Sequence, residues 1–574
     1  MKLLYTKTYI LAAMLFCSAH IKAQSPSLAW AKQIIKTDNS SFGGSQSITV
    51  DTLGNVYTAG YFNGTYNFDS GTTNYTLTTA TQTGYVMKQD ALGNLLWAHK
   101  IDNDTDFNIA KVAIDKQNNV YLTGYYSGVS DLDPTAGVST FTANGLADCF
   151  IIKLSSNGSF IWAKAFGGSS YDVVSNLAFD TSNNVYIAGS FYNTVDFDPN
   201  AGVTNLTSNG DYDVFISKLD VNGNFIWAKA FGGSSDDEAR GIQIDIQGNV
   251  YVTGSYQGVV DFDPNASVLT LNSIGTTDIF MSKLNNAGNL VWAKSMGSTG
   301  YDNGTDLVLD KKSTNIYLVG QFENTVDFDP NAGVTNLTSL GSADIYINKF
   351  DANGSLIWTK GFGGTLYEHV SGIKLDSLEN IYIAGGYSDV VDFDPNSGII
   401  NLTSNGSNDL YISKLDSNGV LIFTKSFGGS DFDLMKSIDV DKHGSIYTTG
   451  MFTGTVNFDP NGSFNLTTFN VSDFDIFVQK LNQSTTTGVQ QITSRKNNVS
   501  LFPNPNHGTL HILLENKTMD MITLSIINNL GEIVLESNFN TSCYKLNTTE
   551  LASGVYYARI IKNNEQEIIK FIKE

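Results

Sequence analysis

Cysteine is almost absent from this chain: three residues in 574. Cys17 lies in an N-terminal leader, and Cys149 and Cys543 fall in different expected domains. A structural disulfide is therefore not expected, and no zinc-ligand spacing occurs. Histidine is nearly as scarce. Beyond the leader there are His99, His369, His443, His507 and His511, none of them in a nucleophile-elbow, zinc or phosphate-loop motif. The usual sequence marks of an enzyme are missing. Proline numbers nine against 53 glycines, a balance that suits short strands joined by tight turns. Charged residues make up only 16 % and are strongly biased to one sign, with a net charge of −22 that becomes −25 once the three lysines of the leader are removed. So acidic a surface argues against nucleic acid and anionic membrane as partners. After the leader no apolar run approaches the roughly 18 residues that a membrane-spanning helix needs.

What is present is a repeat. Tryptophan occurs at 30, 97, 162, 227, 292 and 358, and Phe423 takes the seventh place; the steps are 67, 65, 65, 65, 66 and 65 residues. No tryptophan lies outside the series. Around Trp227 the sequence runs DVFISKLDVNGNFIWAKAFGG, two extended runs at 214–219 and 225–231 flanking Asp220-Val-Asn-Gly-Asn224. That is a hairpin pattern, with Asn222-Gly223 expected to supply positive φ angles. Each unit carries four such runs. A turn followed by Val-Tyr-x-x-Gly or Ile-Tyr-x-x-Gly recurs with glycine at 60, 124, 189, 254, 320, 385 and 450. A strand ending in lysine recurs at Lys88, Lys153, Lys218, Lys283, Lys349, Lys414 and Lys480.

The repeat opens on a lone tryptophan strand, 28–32, and closes at 475–481 with no tryptophan strand after it. Seven of each strand exist only if the first strand pairs with the last unit. A linear array would leave an open edge there, whereas a ring leaves none. The expected fold is all-β: a seven-bladed β-propeller over residues 27–481, with four-stranded blades and an N-terminal strand closing the last one. The strand 225–231 is apolar on both faces, as a sheet sandwiched between neighbours should be. The tryptophans, at one equivalent place in each unit, are read as wedges between blades rather than as sugar-stacking platforms.

These units resemble the secreted bacterial seven-bladed propeller repeat in their Asp-x-x-Gly-Asn-Val-Tyr, Asp-Phe-Asp-Pro and Gly-x-x-x-Trp-Ala-Lys elements, from about residue 27 to 481. The resemblance implies fold and an extracellular setting; it supplies no catalytic residues. Residues 1–23, with Lys2 and Lys7, an apolar run 9–19 and Ala23, read as a secretory signal peptide. Residues 482–498 are polar and outside the period, a linker. Residues 499–574 change pattern to alternating strands that suit a small β-sandwich. This tail is similar to the C-terminal sorting domain of the type IX secretion system, through Phe502-Pro503-Asn504-Pro505, Gly531 in Asn-Leu-Gly, and Gly554 and Tyr556 in Leu-Ala-Ser-Gly-Val-Tyr. That similarity implies the secretion machinery as a partner and delivery to the outside or surface of a Gram-negative cell.

Two carboxylate sets recur. One is Asp-x-Asp-Pro: Asp131 with Asp133, Asp196 with Asp198, Asp261 with Asp263, Asp327 with Asp329, and Asp392 with Asp394. Weaker copies stand at Asn67 with Asp69 and Asn457 with Asp459. Turn capping is the expected role. The alternative is weak calcium binding, because Asp196-x-Asp198-x-Asn200 has the oxygen spacing that opens many calcium loops, although the glycine and glutamate of an EF-hand are lacking. No other cofactor is expected. The second set, Asp172, Asp237, Asp302, Glu368 and Asp433, opens the first strand of a unit. It is expected to cap turns, with a ring around one channel mouth as the alternative. The functional expectation is a monomeric secreted or surface binding module, an adhesion or interaction platform for a glycan or protein. The competing reading is a hydrolase or lyase at one mouth, drawing on non-repeating residues such as Glu238, Arg240 and His369.

Overall fold

The computed structural model describes residues 25–38, 42–69, 71, 74–470, 473–483, 499–514, 521–528, 533–562 and 565–574. The leader, Gly531 and all but the first two residues of the expected linker lie outside them. The chain divides into two compact units, 1–485 and 486–574. Every regular element among the described residues is a strand.

The first unit is a series of antiparallel four-stranded sheets of the kind that form propeller blades. The fourth runs Glu238–Ile244, Val250–Tyr256, Asp278–Leu284 and Leu290–Met296, each strand paired with the one before. A bulge at Arg240 breaks the alternation of its first strand. Between the second and third strands the chain forms a small ribbon, Val259–Asp261 with Thr270–Asn272. The same ribbon recurs in the other units; in the first it merges into the long strands Val56–Asn67 and Thr76–Gln89. In the Asp220–Asn224 turn only Gly223 takes a positive φ, 79°. Asn222 instead donates its backbone N–H to Asp220 Oδ1 at 2.8 Å, so side-chain capping shapes the rest of that turn.

The N-terminal strand Ser27–Lys36 pairs antiparallel with Phe474–Asn482, with Ala31 opposite Gln479, and so supplies the outermost strand of the last sheet. At its far end Ile35 and Lys36 also pair with Asn67 and Tyr66 of the first sheet. First strands of successive sheets touch one another, and the first strand of the first sheet, Phe42–Val50, touches that of the last, Leu434–Val440. There Asp439 Oδ2 accepts hydrogen bonds from the Thr49 hydroxyl and the Val50 N–H, at 3.1 and 2.9 Å.

A lysine over a tyrosine ring ties each sheet to the next, and in four of them a tryptophan adds a second tie. Trp227 Nε1 donates to the Asn286 carbonyl of the following sheet at 3.1 Å, and its ring meets Tyr186 edge-on at 6.0 Å. The Lys218 ammonium lies 4.8 Å from the Tyr186 ring centre and donates to Asn286 Oδ1 at 2.6 Å. Trp30, Trp162, Trp227 and Trp292 are thus half-buried inter-sheet struts, as the sequence pattern predicts, whereas Nε1 of Trp97 and Trp358 has no partner among the described residues. Trp30 and Lys480 reach the Ala91 carbonyl of the first sheet in the same way, at 3.1 and 3.3 Å.

In the second unit one sheet comprises Val499–Phe502, Thr509–Leu514 and Cys543–Asn547, and the other Ile533–Phe539, Ile522–Ile527, Gly554–Lys562 and Glu565–Lys573. Leu510 and Ile512 of the first and Leu524, Ile526 and Ala558 of the second enter one buried cluster.

Candidate functional site

The Asp-x-Asp-Pro carboxylates act within their own loops. The first aspartate of each pair ties two backbone segments together. Asp196 Oδ1 accepts the N–H of Asp198 at 3.1 Å and of Thr204 at 2.7 Å. Asp131, Asp261, Asp327 and Asp392 repeat this arrangement with Ser139, Leu269, Thr335 and Ile400 as the distant donors. The second aspartate caps the turn that follows. Asp198 Oδ1 accepts the N–H of Asn200 at 2.9 Å. In the same way Asp133 accepts from Thr135 at 2.9 Å, Asp263 from Asn265 at 3.0 Å, Asp329 from Asn331 at 3.0 Å and Asp394 from Asn396 at 3.0 Å.

These bonds bear on the calcium alternative for the whole set. Among the described residues no group of three or more His, Cys, Asp or Glu side chains is placed to hold a metal. The structure therefore does not gather Asp133, Asp263, Asp329 and Asp394, with their partners Asp131, Asp261, Asp327 and Asp392, into an acidic cluster around a common point. Nor does it do so for Asp196 and Asp198. The physical reason is that one oxygen of each carboxylate is already turned to backbone N–H groups of its own loop. Phe197, between Asp196 and Asp198, is fully buried, because alternation turns it to the opposite face.

The second carboxylate set does not rim the channel. Asp172, Asp237, Asp302, Glu368 and Asp433 are all buried where one sheet passes to the next. Asp237 Oδ2 accepts the Gly233 N–H at 2.6 Å and Oδ1 accepts the Gln257 N–H at 3.1 Å. Across each junction stands a second buried acid that the sequence reading missed: Asp148, Asp213, Asp278, Asp344 and Asp409, each opening a third strand. The first glycine of the Gly-Gly pair makes room for Asp213, and the N–H of the second donates to Asp237. A Cβ at Gly232 would lie 2.2 Å from the Asp213 carboxyl carbon. Burial pushes the Asp213 carboxyl up to about 6, and burial together with the Asp213 charge raises Asp237 to about 7, against backbone hydrogen bonds that pull both down.

The exposed chemistry lies just outside these junctions. The residue one or two positions before each first strand is aromatic in four units, Tyr171, Tyr301, Tyr367 and Phe432, and Phe42 joins them at the start of its own strand. Phe42, Tyr171, Tyr367 and Phe432 are 49, 40, 49 and 42 % exposed, unusual for rings at the ends of core strands, and Tyr301 is half-buried. Asp106 and Asp236 take the two remaining places. Arg240 connects two units at this end, donating from Nη2 to Glu238 Oε2 at 2.9 Å and to the Tyr301 hydroxyl at 3.1 Å. Gln321 Nε2 donates to the Tyr367 hydroxyl at 2.7 Å, and Tyr367 stacks on His369. Burial, with the Lys436 charge beside it, lowers His369 to about 4. Phe432 meets Phe474 edge-on at 6.2 Å, and Tyr192 lies 5.7 Å from Tyr212. Farther along the first strands, burial pulls Lys111 down to about 8, with Lys374 adding to the fall and Asp306 and Asp439 opposing it.

Of the sequence-selected residues, Glu238, Arg240 and His369 therefore do belong to one end of the first strands, but on different sheets. Glu238 is paired with Arg240, and His369 belongs to the Tyr367 group. The aromatic series escaped sequence reading because each ring stands alone in its unit. Its signal was an aromatic residue directly before the acid at 172, 302, 368 and 433.

In the second unit the sorting-motif residues bind the last strand. Asn504 Oδ1 accepts the Ile572 N–H at 2.9 Å, and Phe502 stacks on His511 at 5.4 Å. The Tyr556 hydroxyl donates to the Ala552 carbonyl at 3.0 Å, and its ring lies 5.7 Å from Phe571. Pro503 and Pro505 flank Asn504, and Gly554 pairs with Lys573.

Residues 500–574 match the secretion system C-terminal sorting domain, and residues 161–190 and 226–255 each match a β-propeller repeat. This is a secreted β-propeller-repeat protein with a type IX sorting tail. Its destination is the surface or exterior of a Gram-negative bacterial cell, and the tail implies interaction with the secretion machinery. The chain is 25 % identical over 471 residues to an uncharacterized WD repeat-containing protein of Acanthamoeba polyphaga mimivirus, covering 67 % of this chain and 33 % of that one. It is 22 % identical over 300 residues to the regulatory protein FlaEY of Caulobacter vibrioides, covering 49 % and 30 %. The chain thus spans about a third of the length of the curated relatives it matches. Among solved structures it is similar to PorZ, a surface component of the type IX secretion system of Porphyromonas gingivalis, at 11 % identity, 95 % and 100 % coverage and a TM-score of 0.18. The extracellular domain of a putative hybrid two-component system from B. thetaiotaomicron matches at 9 % identity, 95 % and 98 % coverage and the same score. No helix among the described residues is long and apolar enough to cross a membrane.

Proposed function

We propose that this protein is an extracellular binding module: a closed seven-bladed propeller whose mouth engages a glycan, followed by a β-sandwich tail that directs its export. The supporting observation is the series of aromatic rings at equivalent places, Phe42, Tyr171, Tyr301, Tyr367 and Phe432, four of them exposed, interspersed with Asp106 and Asp236. Aromatic faces beside hydrogen-bonding carboxylates suit the alternating apolar and hydroxyl faces of sugar rings, and large exposed rings gathered on one surface mark interaction sites. The repeated sheets hold them rigidly, which lowers the entropy lost on binding.

Binding is favoured over hydrolytic or lyase chemistry because the unlike titratable groups at this end stand on different sheets and form no acid–base set. Glu238 is paired with Arg240, and burial with the Lys436 charge lowers His369. Glycan-array screening of the secreted protein, repeated with Tyr171→Ala, Tyr367→Ala and Phe432→Ala, tests the reading. Each variant should weaken the same glycan signals by several-fold while leaving the melting temperature within a few degrees. Glycan binding indifferent to all three would overturn this placement, and binding only to protein baits would overturn the glycan.

A further inference from the structure

One sector of the mouth departs from the repeat. Tyr171, Tyr192 and Tyr212 all belong to the third unit, and Asp236 sits just before the first strand of the fourth. The register places Tyr192 where the other units have Asn63, Ser127, Gln257, Glu323, Ser388 and Thr453. Tyr212 stands where they have Gln82, Ala147, Thr277, Ala343, Asn408 and Phe474. Neither tyrosine is needed by the blade, since smaller residues serve at both places. Yet the fold brings them together: their ring centres are 5.7 Å apart at 42°, and Asp236 Oδ1 accepts the Tyr212 N–H at 3.4 Å. Burial raises the Tyr212 phenol, and the charges of Asp172 and Asp236 and the phenols of Tyr171 and Tyr192 raise it further, so all five groups lie within electrostatic reach.

From this arrangement we infer that Tyr192, Tyr212 and Asp236 form an aromatic cage for a protonated amine, carried by an amino-sugar unit of the bound glycan. The inference rests on the reading of this mouth as a glycan surface. Aromatic faces attract a cation through the ring quadrupole, and a neighbouring carboxylate adds direct attraction. The molecule uses the same physics internally. Tyr57, Tyr121, Tyr186, Tyr251, Tyr317, Tyr382 and Tyr447 each carry a lysine ammonium 4.8 to 5.1 Å from the ring centre. Among the described residues no lysine or arginine lies over Tyr171, Tyr192 or Tyr212, and Arg240 nearby is turned to Glu238 and Tyr301. The exposed Asp236 carboxylate lies beside Tyr212, so an anionic sugar would be repelled where a cationic one is drawn in.

The test is titration calorimetry of the whole secreted protein with a glucosamine oligomer, its N-acetylated counterpart and a lysine-rich peptide. The glucosamine oligomer should bind about ten-fold more tightly than the acetylated one, the scale of a single desolvated cation–aromatic contact. Tyr192→Ser and Tyr212→Ala introduce residues that other units already hold at those places, so folding is safeguarded. Each, like Asp236→Asn, should erase most of that preference. Equal binding of the two sugars would overturn the cage while leaving the glycan surface standing. Binding of the peptide alone would overturn both, as would binding of none of the three.

Discussion

Asp213 and Asp237 face each other's charge across the junction between the third and fourth sheets, and both are buried. Asp213 Oδ1 has no hydrogen-bond partner. Four similar pairs occupy other junctions, and the carboxyls of Asp148, Asp172, Asp302, Asp344 and Asp433 are pushed up to about 6 and Glu368 to about 7, chiefly by burial. A carboxyl that binds its proton more tightly when folded contributes stability that is complete below the unfolded value, about 4, and is lost as pH rises through about 6 to 7. The melting temperature should therefore fall between pH 5 and pH 8, and Asp213→Asn should flatten that slope. A stability curve that rises across the same interval would contradict the assignment.

The loops carrying Asp196 and Asp198 predict a different response. Removing Asp196 with alanine leaves two N–H groups without their acceptor, a loss of about 1–2 kcal/mol. Asp198→Ala should cost less, since its loop is more exposed, and the same holds for its counterparts Asp133, Asp263, Asp329 and Asp394. Weak calcium binding is the alternative role for these carboxylates. Chelator-treated protein should melt at the same temperature with and without millimolar calcium if capping is their whole role; a calcium-dependent rise that Asp196→Ala abolishes would assign them a cation.

Deleting residues 25–34 removes the strand that pairs with Phe474–Asn482 and exposes an unpaired, apolar edge. The expected result is a lower melting temperature and concentration-dependent aggregation. A truncated protein as stable and monomeric as its parent would argue that the last sheet does not depend on the first strand.

Removing residues 499–574 should leave the folded first unit in the periplasm, and fusing that segment to a signal-bearing reporter should carry the reporter outside. Fractionation of the native host measures both. Unchanged export of the shortened protein would remove the tail's role.

Much of this was legible in the sequence, because a 65-residue period repeats its errors as faithfully as its signals. The tryptophan steps located every fourth strand, and the lone first tryptophan anticipated its pairing with the last unit. The Gly-Gly pairs were read only as turn residues, since nothing in one sequence says that a carboxyl from elsewhere will fill the space a Cβ vacates. Asp172 and its counterparts gave the alternative of a channel rim, but N–H groups of the preceding turn and of the turn after the second strand draw them inward. The tyrosines at 192 and 212 are about twenty residues apart, and only the folded unit brings them together.

The pairing of Ala31 with Gln479 also sets a timetable. A chain emerging from its N-terminus presents the strand 27–36 hundreds of residues before its main partner, so most of that strand must wait for it through synthesis. Contacts of such long sequence separation form late and slowly. The final sheet is therefore expected to be among the last parts of the first unit to form.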